Sequence, residues 1–212
     1  MVYTHEAGAA DVRAAFPAAR VERVEEGWED RWKEFHRPVR AGGVWIGPPW
    51  VPRPPPGELA VVVDPGRAFG TGAHATTRAC IELLAGIERG SLLDAGCGSG
   101  VVAIAAVRLG FAPVVAVDSD PVAVHVAEET ARANGVELDV GRLDVLSDRL
   151  PETDIAVANI ELGVVERLLE RLPALLAVTS GYLAPQAPST AGWARVRRLE
   201  LDGWAADVLV TS

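Results

Sequence analysis

The segment Leu92–Gly100, LLDAGCGSG, constrains the fold of this 212-residue chain more than any other feature, because it ends a strand in alternating glycines. The following run, Val101–Leu109, is typical of a helix, and a second strand, Val114–Val117, ends in Asp118. A strand–glycine loop–helix–strand–acid unit binds an adenosine-bearing cofactor at the carboxyl edge of a parallel sheet. The sequence therefore predicts an α/β protein with a cofactor site at that edge.

The glycine loop supplies the first candidate binding residues. Gly96, Gly98 and Gly100 allow the backbone to approach a ligand closely. Asp118 can accept both ribose hydroxyl protons, and Asp94 stands two residues before the first glycine, where a carboxylate can hold an ammonium group. We expect all five residues to contact the cofactor.

Two cofactors compete for this loop. The residues Gly98–Ala103 also fit the dinucleotide pattern G-x-G-x-x-G/A, so a nicotinamide cofactor stays open as an alternative. Other observations favour S-adenosylmethionine: nicotinamide cofactors have no ammonium group for Asp94, and the loop lies in mid-chain, whereas many dinucleotide folds open with it. The chain also ends in a predicted antiparallel hairpin, Val196–Leu201 and Ala205–Val210.

A second glycine-rich motif, Asp64–Thr77, precedes a helix predicted over Thr77–Ile87. Free backbone N–H groups at a helix N-terminus attract anions, so this loop can meet the carboxylate of a methionine moiety. Phe69, Thr71 and Thr77 are the candidate cofactor contacts here. Two alternatives stay open: the threonines at 76 and 77 can be simple N-caps, and the histidine at 74 a surface or capping residue.

Two further polar residues follow predicted strands at the same edge. Asp144 comes after the third strand, about Glu137–Val140, where it can reach an adenine amino group or act as a solvated turn residue. Asn159 ends the fourth strand, Asp154–Ala158. Its amide oxygen can accept a hydrogen bond from a substrate amine without charging it, so Asn159 is the candidate catalytic residue.

The rest of the chain completes a Rossmann-like α/β fold of seven strands with a C-terminal antiparallel hairpin. Asp120 as N-cap and Pro121 in the first turn begin a helix that the Asn-Gly pair after Ala133 ends. Residues 162–172 are predicted as a helix and residues 175–179 as the fifth strand. We assign residues 59–212 to this domain.

Residues 1–58 are predicted as an N-terminal extension. Glu25–Phe35 has its aromatic residues on one helical face, and Pro38–Pro56 is proline-rich, typical of a linker or wrapping arm. Leu59–Val63 is then a buried strand or arm that enters the second glycine-rich motif.

Composition excludes several classes of function. The net charge of −9 argues against a duplex-binding surface, and no run of roughly eighteen apolar residues could span a membrane. The N-terminus lacks a signal segment, and a disulfide at Cys97 would obstruct the glycine loop, so we expect reduced thiols and a cytoplasmic protein. Neither a metal-ligand set nor a Ser–His–Asp order is apparent.

The order FGTGAHATT, LLDAGCGSG, VDSDP, VANIEL and TSGYL resembles the PrmA-type methyltransferase family, which modifies large-subunit ribosomal protein eleven. The resemblance runs from about Glu25 to the C-terminus. It implies an enzyme that uses S-adenosylmethionine, with Thr77, Gly96, Asp118 and Asn159 as cofactor contacts. The implied reaction is N-methylation of lysine side chains and an α-amino group.

Two departures from that family fall on the substrate side. The family carries an N-terminal substrate-recognition domain, whereas the residues ahead of Glu25 are too few for an independent domain. Glu161 follows Ile160 where the family usually has leucine. The acceptor is therefore a ribosomal protein, another protein or a small-molecule amine, and a non-catalytic cofactor-binding module stays a further alternative. We expect a monomer that binds neither nucleic acid nor membranes.

Overall fold

A small three-stranded sheet precedes the main sheet along the chain in the computed structural model, which describes residues 14–15, 36–65 and 72–212. Strands β1 (Val39–Ala41) and β2 (Val44–Gly47) pair antiparallel, and β3 (Ala60–Val62) pairs parallel with β2. The helix expected over Glu25–Phe35 lies outside the described residues, as do Phe69 and Thr71.

Of the two interpretations of the proline-rich segment, a linker or a wrapping arm, these strands favour the arm. The side chains of β2 are buried, and the turn at Gly42 lies so close to the next helix that a Cβ there would be 2.7 Å from the Cβ of Ala85. One compact unit runs over His36–Ser212, so the division proposed at residues 58 and 59 falls inside it. Proline spacing predicted extended backbone but could not show what that backbone pairs with.

The main sheet has seven strands in the order β6-β5-β4-β7-β8-β10-β9. The first five in this order pair in parallel, and β10 is antiparallel to both β8 and β9. This order and the C-terminal hairpin confirm the predicted fold class. The strands are β4 (Leu92–Ala95), β5 (Val114–Asp118), β6 (Asp139–Arg142), β7 (Ile155–Asn159), β8 (Leu176–Leu183), β9 (Trp193–Leu201) and β10 (Trp204–Thr211).

Four helices lie within residues 72–212: α1 (Ala75–Ala85), α2 (Val101–Leu109), α3 (Pro121–Ala133) and α4 (Leu162–Leu169). The predicted bounds of α2 and α3 are confirmed. The predicted end of α4 at residue 172 was wrong, because residue 172 precedes a proline, which disfavours helical backbone. The third strand begins two residues later than expected, at Asp139, where it pairs with Val115 of β5.

The core lies on both faces of the main sheet, because successive strand residues point to opposite sides. Leu92 packs into the cluster that holds α1, α2 and α3, while the adjacent Leu93 packs into the cluster that holds α4. Both leucines are fully buried. Covered in this way on both faces, the sheet leaves the carboxyl ends of β4, β5 and β7 together at one edge.

Candidate active site

A cavity of about 740 Å³ opens at this carboxyl edge. Sites for small molecules have volumes of about 300–1,000 Å³. The cavity wall comes from the ends of β4, β5, β6 and β7 and from the residues that follow each of them. Its lining residues are Gly96, Gly98, Asp118, Ser119, Asp120, Val122, Ala123, Leu143, Asp144, Val145, Leu146, Asn159, Ile160, Glu161 and Val164.

The glycine loop is hydrogen-bonded to the end of β5. The N–H groups of Gly96 and Cys97 donate to the carbonyl of Val117 at 2.9 and 3.0 Å, and Gly98 N donates to the Asp118 carboxylate at 3.0 Å. Gly96 and Gly98 have φ of 78° and 54°, a region that favours glycine. The loop therefore presents its backbone to the cavity in a fixed position.

Asp118 holds the loop and faces the cavity at the same time. One carboxylate oxygen accepts from Gly98 N and the other from Asp120 N, each at 3.0 Å. Each oxygen keeps a further lone pair, because an ionised carboxylate offers about four acceptor sites. A vicinal diol such as a ribose matches this arrangement.

Asp94 lies in a different environment from Gly96, Gly98 and Asp118, which line the cavity. It is 2% exposed, it is not among the residues that line the cavity, and it accepts a hydrogen bond from Ala103 N at 3.0 Å. Ala103 lies in the first turn of α2, whose N-cap, Gly100, has no side chain to cap it. Burial raises the pKa of Asp94 to about 7, and the nearby Asp118 charge adds to that rise.

Gly100, the N-cap of α2, allows α2 to pack closely against α3. A Cβ at Gly100 would stand 3.1 Å from the Cβ of Ala127 on α3, and its φ is 77°. The expectation that Asp94 and Gly100 contact the cofactor therefore stays a prediction. Both residues support the helix that follows the loop.

Asn159 and Thr77 are brought together by the fold. Asn159 Nδ2 donates to Thr77 Oγ1 at 3.3 Å, across a sequence separation of 82 residues. Asn159 lines the cavity, whereas Thr77 is 3% exposed in the first turn of α1. Thr77, the last residue of the second glycine-rich motif, thus contacts the amide that was predicted to be catalytic.

His74 is the N-cap of α1, which settles one of the alternatives left open by the sequence. Its Nδ1 accepts from Thr76 N at 3.4 Å, and its ring stands edge-on to Trp204 at 5.0 Å between centroids. Arg78 on the same helix pairs with Asp202 in the turn between β9 and β10. The C-terminal hairpin therefore contacts the helix that carries Thr77.

Asp144 lines the cavity and also shapes the turn after β6. Its carboxylate accepts from Leu146 N and from the Ser147 hydroxyl, each at 2.9 Å. These bonds, that from Leu146 first, lower the pKa of Asp144. The two sequence interpretations, a turn residue and a residue near an adenine amino group, are compatible in this position.

Sequence reasoning missed the residues that hold the loop after β7. Gly181 in β8 has a φ of 102°, and a Cβ there would be 2.1 Å from the carbonyl oxygen of Ile160. A Cβ at Gly96 would meet Ile160 Cγ2 at 2.6 Å. The glycine within TSGYL was a signal for such a close approach, but its partner is not readable from the sequence.

The described part of the chain, residues 14–15, 36–65 and 72–212, contains neither a candidate metal centre nor a membrane-spanning helix. No group of three His, Cys, Asp or Glu side chains there could hold a metal ion. None of the helices in those ranges has the length and apolar character needed to cross a membrane.

Comparison with known proteins gives consistent results. The family described as "Ribosomal protein L11 methyltransferase (PrmA)" matches residues 4–205. The ribosomal protein L11 methyltransferase of Symbiobacterium thermophilum is 41% identical over 199 residues, which cover 86% of this chain and 65% of that protein. The Azotobacter vinelandii protein of the same name is 39% identical over 204 residues, covering 89% of this chain and 70% of that protein.

A solved structure agrees with these relatives. The crystal structure of ribosomal protein L11 methylase from Lactobacillus delbrueckii subsp. bulgaricus superposes with a TM-score of 0.71 at 26% identity, covering 80% of this chain and 95% of that one. The chain described here spans 65% and 70% of the two curated relatives.

Proposed function

Because the chain belongs to the family of ribosomal protein L11 methyltransferases, we propose that it is an S-adenosylmethionine-dependent N-methyltransferase acting on amino groups of a protein such as L11. One observation carries the proposal. The carboxyl edge of the sheet joins the glycine loop, the Asp118 carboxylate and the Asn159–Thr77 pair around one cavity. The same proposal puts the enzyme in the cytoplasm, the compartment of its acceptor.

The residues of the cavity fit this cofactor. Asp118 would hold the ribose hydroxyls, and the loop at Gly96 and Gly98 would lie along the methionine portion. Leu143, Val145 and Leu146 supply an apolar wall for an adenine ring, with Asp144 beside them. When bound, S-adenosylmethionine supplies an electrophilic methyl group on a sulfonium.

The chain's own task is to present a neutral amine to that methyl group. A lysine side chain with a pKa near 10.4 is neutral in only about one molecule in 2,500 at pH 7, so deprotonation costs about 4.6 kcal/mol. Partial removal from water lowers this cost by disfavouring the ammonium form. Asn159 would then orient the nitrogen through its Oδ1, because Nδ2 is engaged with Thr77. Positioning of this kind supplies most of the rate, without an obligatory general base.

Transfer of radiolabelled methyl from S-adenosylmethionine tests the proposal. The purified protein is incubated with an extract of cells that lack its gene, and the products are resolved by size. A single labelled small basic protein that cofractionates with ribosomes supports the L11 acceptor. Label only in small molecules assigns a small amine as acceptor, and absence of label, with cofactor bound, contradicts enzymatic function in favour of a binding module.

A further inference from the structure

Glu161 differs from the other carboxylates of the cavity. Asp118, Asp120 and Asp144 each accept a backbone hydrogen bond from a neighbouring turn or loop. Glu161 occupies the N-cap position of α4 but makes no side-chain capping bond, and it is exposed. Among the four carboxylates that line the cavity in the described part of the chain, it alone is not engaged by the backbone.

The backbone around Glu161 is held from two sides. Ile160 N donates to the carbonyl of Ser180 at 3.1 Å. The Ile160 carbonyl oxygen lies so close to Gly181 that a Cβ added at Gly181 would be 2.1 Å from it. The Ile160 side chain lies equally close to Gly96, because a Cβ added at Gly96 would be 2.6 Å from Ile160 Cγ2. Ile160 therefore contacts both the cofactor loop and β8, and these contacts hold the segment that carries Glu161.

Glu161 also stands two residues from the amide that orients the nitrogen. The strand ends at Asn159 and the chain bends at Ile160, after which Glu161 has φ of −56° and ψ of 142°. Asn159 and Glu161 both line the same cavity. A carboxylate and a neutral amide are thus presented together to whatever approaches the point of transfer.

We propose that Glu161 is a specificity-determining residue that selects acceptors arriving as ammonium cations, such as lysine side chains. This inference rests on the proposed function and names the charge class of its acceptor. The ammonium is attracted by Glu161 and loses its proton to water at the open mouth of the cavity. The freed lone pair forms the N–CH₃ bond while the S–CH₃ bond breaks, its electron pair stays on sulfur, and the positive charge leaves on the methylated amine.

Two cofactor analogues test this charge preference without turnover. S-adenosylhomocysteine has an uncharged sulfur, whereas sinefungin carries an ammonium group on the carbon that replaces the sulfonium. The ratio of their dissociation constants, measured by calorimetry, reports how the site treats a cation at the point of transfer. At low salt, Glu161→Gln should reduce the preference for sinefungin about fivefold, while S-adenosylhomocysteine affinity stays within about twofold.

Matched variants separate charge from structure. Glu161→Asp should restore the preference. Salt at 0.5 M should shrink the difference between wild type and Glu161→Gln, because the Debye length is then only about 4 Å and the attraction between exposed charges farther apart than this is largely screened. Glu170→Gln removes the same charge at the other end of α4 and should match the wild type.

Two results of the calorimetric titrations would overturn the inference alone, and a third would also overturn the proposed function. An unchanged preference in Glu161→Gln with S-adenosylhomocysteine still bound overturns the inference, and so does an equal loss of affinity for both analogues, which assigns Glu161 a structural role. Failure of the wild type to bind S-adenosylhomocysteine overturns the proposed function itself and this inference with it.

Discussion

Replacing the Asn159 side chain should lower turnover while leaving cofactor binding nearly unchanged. It lines the cavity, and its amide donates to Thr77. Because we assign Asn159 to orientation of the amine nitrogen, Asn159→Ala should lower kcat about a hundredfold and leave cofactor affinity within about a few fold. Single-turnover methyl transfer and calorimetric titration with S-adenosylmethionine measure the two quantities. A large loss of affinity with intact turnover at saturation would contradict this role.

Asp118 should show the opposite pattern. Its carboxylate would accept two ribose hydrogen bonds and already accepts Gly98 N and Asp120 N. Asp118→Ala should raise the dissociation constant of the cofactor about tenfold or more, while turnover persists at saturating cofactor. The same titration checks it, and an unchanged dissociation constant would remove Asp118 from the site.

Asp94 makes stability depend on pH. Its folded-state pKa of about 7 lies above its ordinary value of 3.8 because of burial, so the folded protein binds this proton more tightly than the unfolded chain does. Its contribution to stability is present below pH 4 and is lost as pH rises through 7. Asp94→Asn removes the titrating group and can still accept from Ala103 N. From pH 5 to pH 8 this variant should gain about 2–3 kcal/mol in free energy of unfolding relative to wild type.

Asp154→Asn is the matched control for Asp94. Hydrogen bonds from the Ser91 side chain and backbone lower the pKa of Asp154, so this carboxylate stays ionised throughout that pH range. Its effect on stability, measured by urea unfolding, should therefore be the same at pH 5 and pH 8. A pH-independent effect of Asp94→Asn as well would show that Asp94 titrates at an ordinary pKa.

At the scale of the element, β8 sets the position of the loop after β7. Gly181→Ala would bring a Cβ to 2.1 Å from the carbonyl oxygen of Ile160, and the neighbouring contacts are also backbone, so the loop must move. Since misplacement of about 1 Å costs about a hundredfold in rate, kcat should fall by more than about tenfold. Cofactor affinity should change little, because Gly98 and Asp118 are held by other bonds.

Gly192→Ala provides the comparison for this element. Gly192 also has a positive φ, of 85°, but nothing lies within 4 Å of a Cβ built there. Both variants carry the backbone strain, and Gly181→Ala alone adds the contact with Ile160. Circular dichroism confirms folding of both, and equal rates in the two variants would show that β8 does not position the loop.

At the scale of the whole molecule, Asn134 joins the small sheet to the main body. Its Oδ1 accepts from Val62 N at 2.7 Å, and its Nδ2 donates to the carbonyls of Val62 and Thr130 at 2.8 Å each. Asn134 is 8% exposed, so Asn134→Ala leaves buried backbone groups without partners. The free energy of unfolding in urea should fall by about 2–4 kcal/mol. Glu137→Ala, at an exposed position nearby, should stay within about 0.5 kcal/mol, and an equal effect of both would contradict the role of Asn134.

The sequence by itself determined the parts of this protein that local physics controls. Asp120 as N-cap, Pro121 in the first turn and the apolar run of α2 predicted helices at their observed bounds. The aspartate-led glycine loop and the acid ending β5 predicted the carboxyl edge as the site, where Gly96 and Asp118 line the cavity. Such signals act over a few residues, because caps, turns and side-chain periodicity depend on near neighbours along the chain.

Only the tertiary structure decided the pairings between distant residues. The Thr77–Asn159 bond spans 82 residues and the Asn134–Val62 bonds span 72. The hydrogen bond from Ala103 N to Asp94 and the close approach of Ile160 to two glycines also depend on packing. A sequence states which residues are polar or small. Which of them meet is set by the free energy of packing the whole chain, and no local segment specifies those contacts.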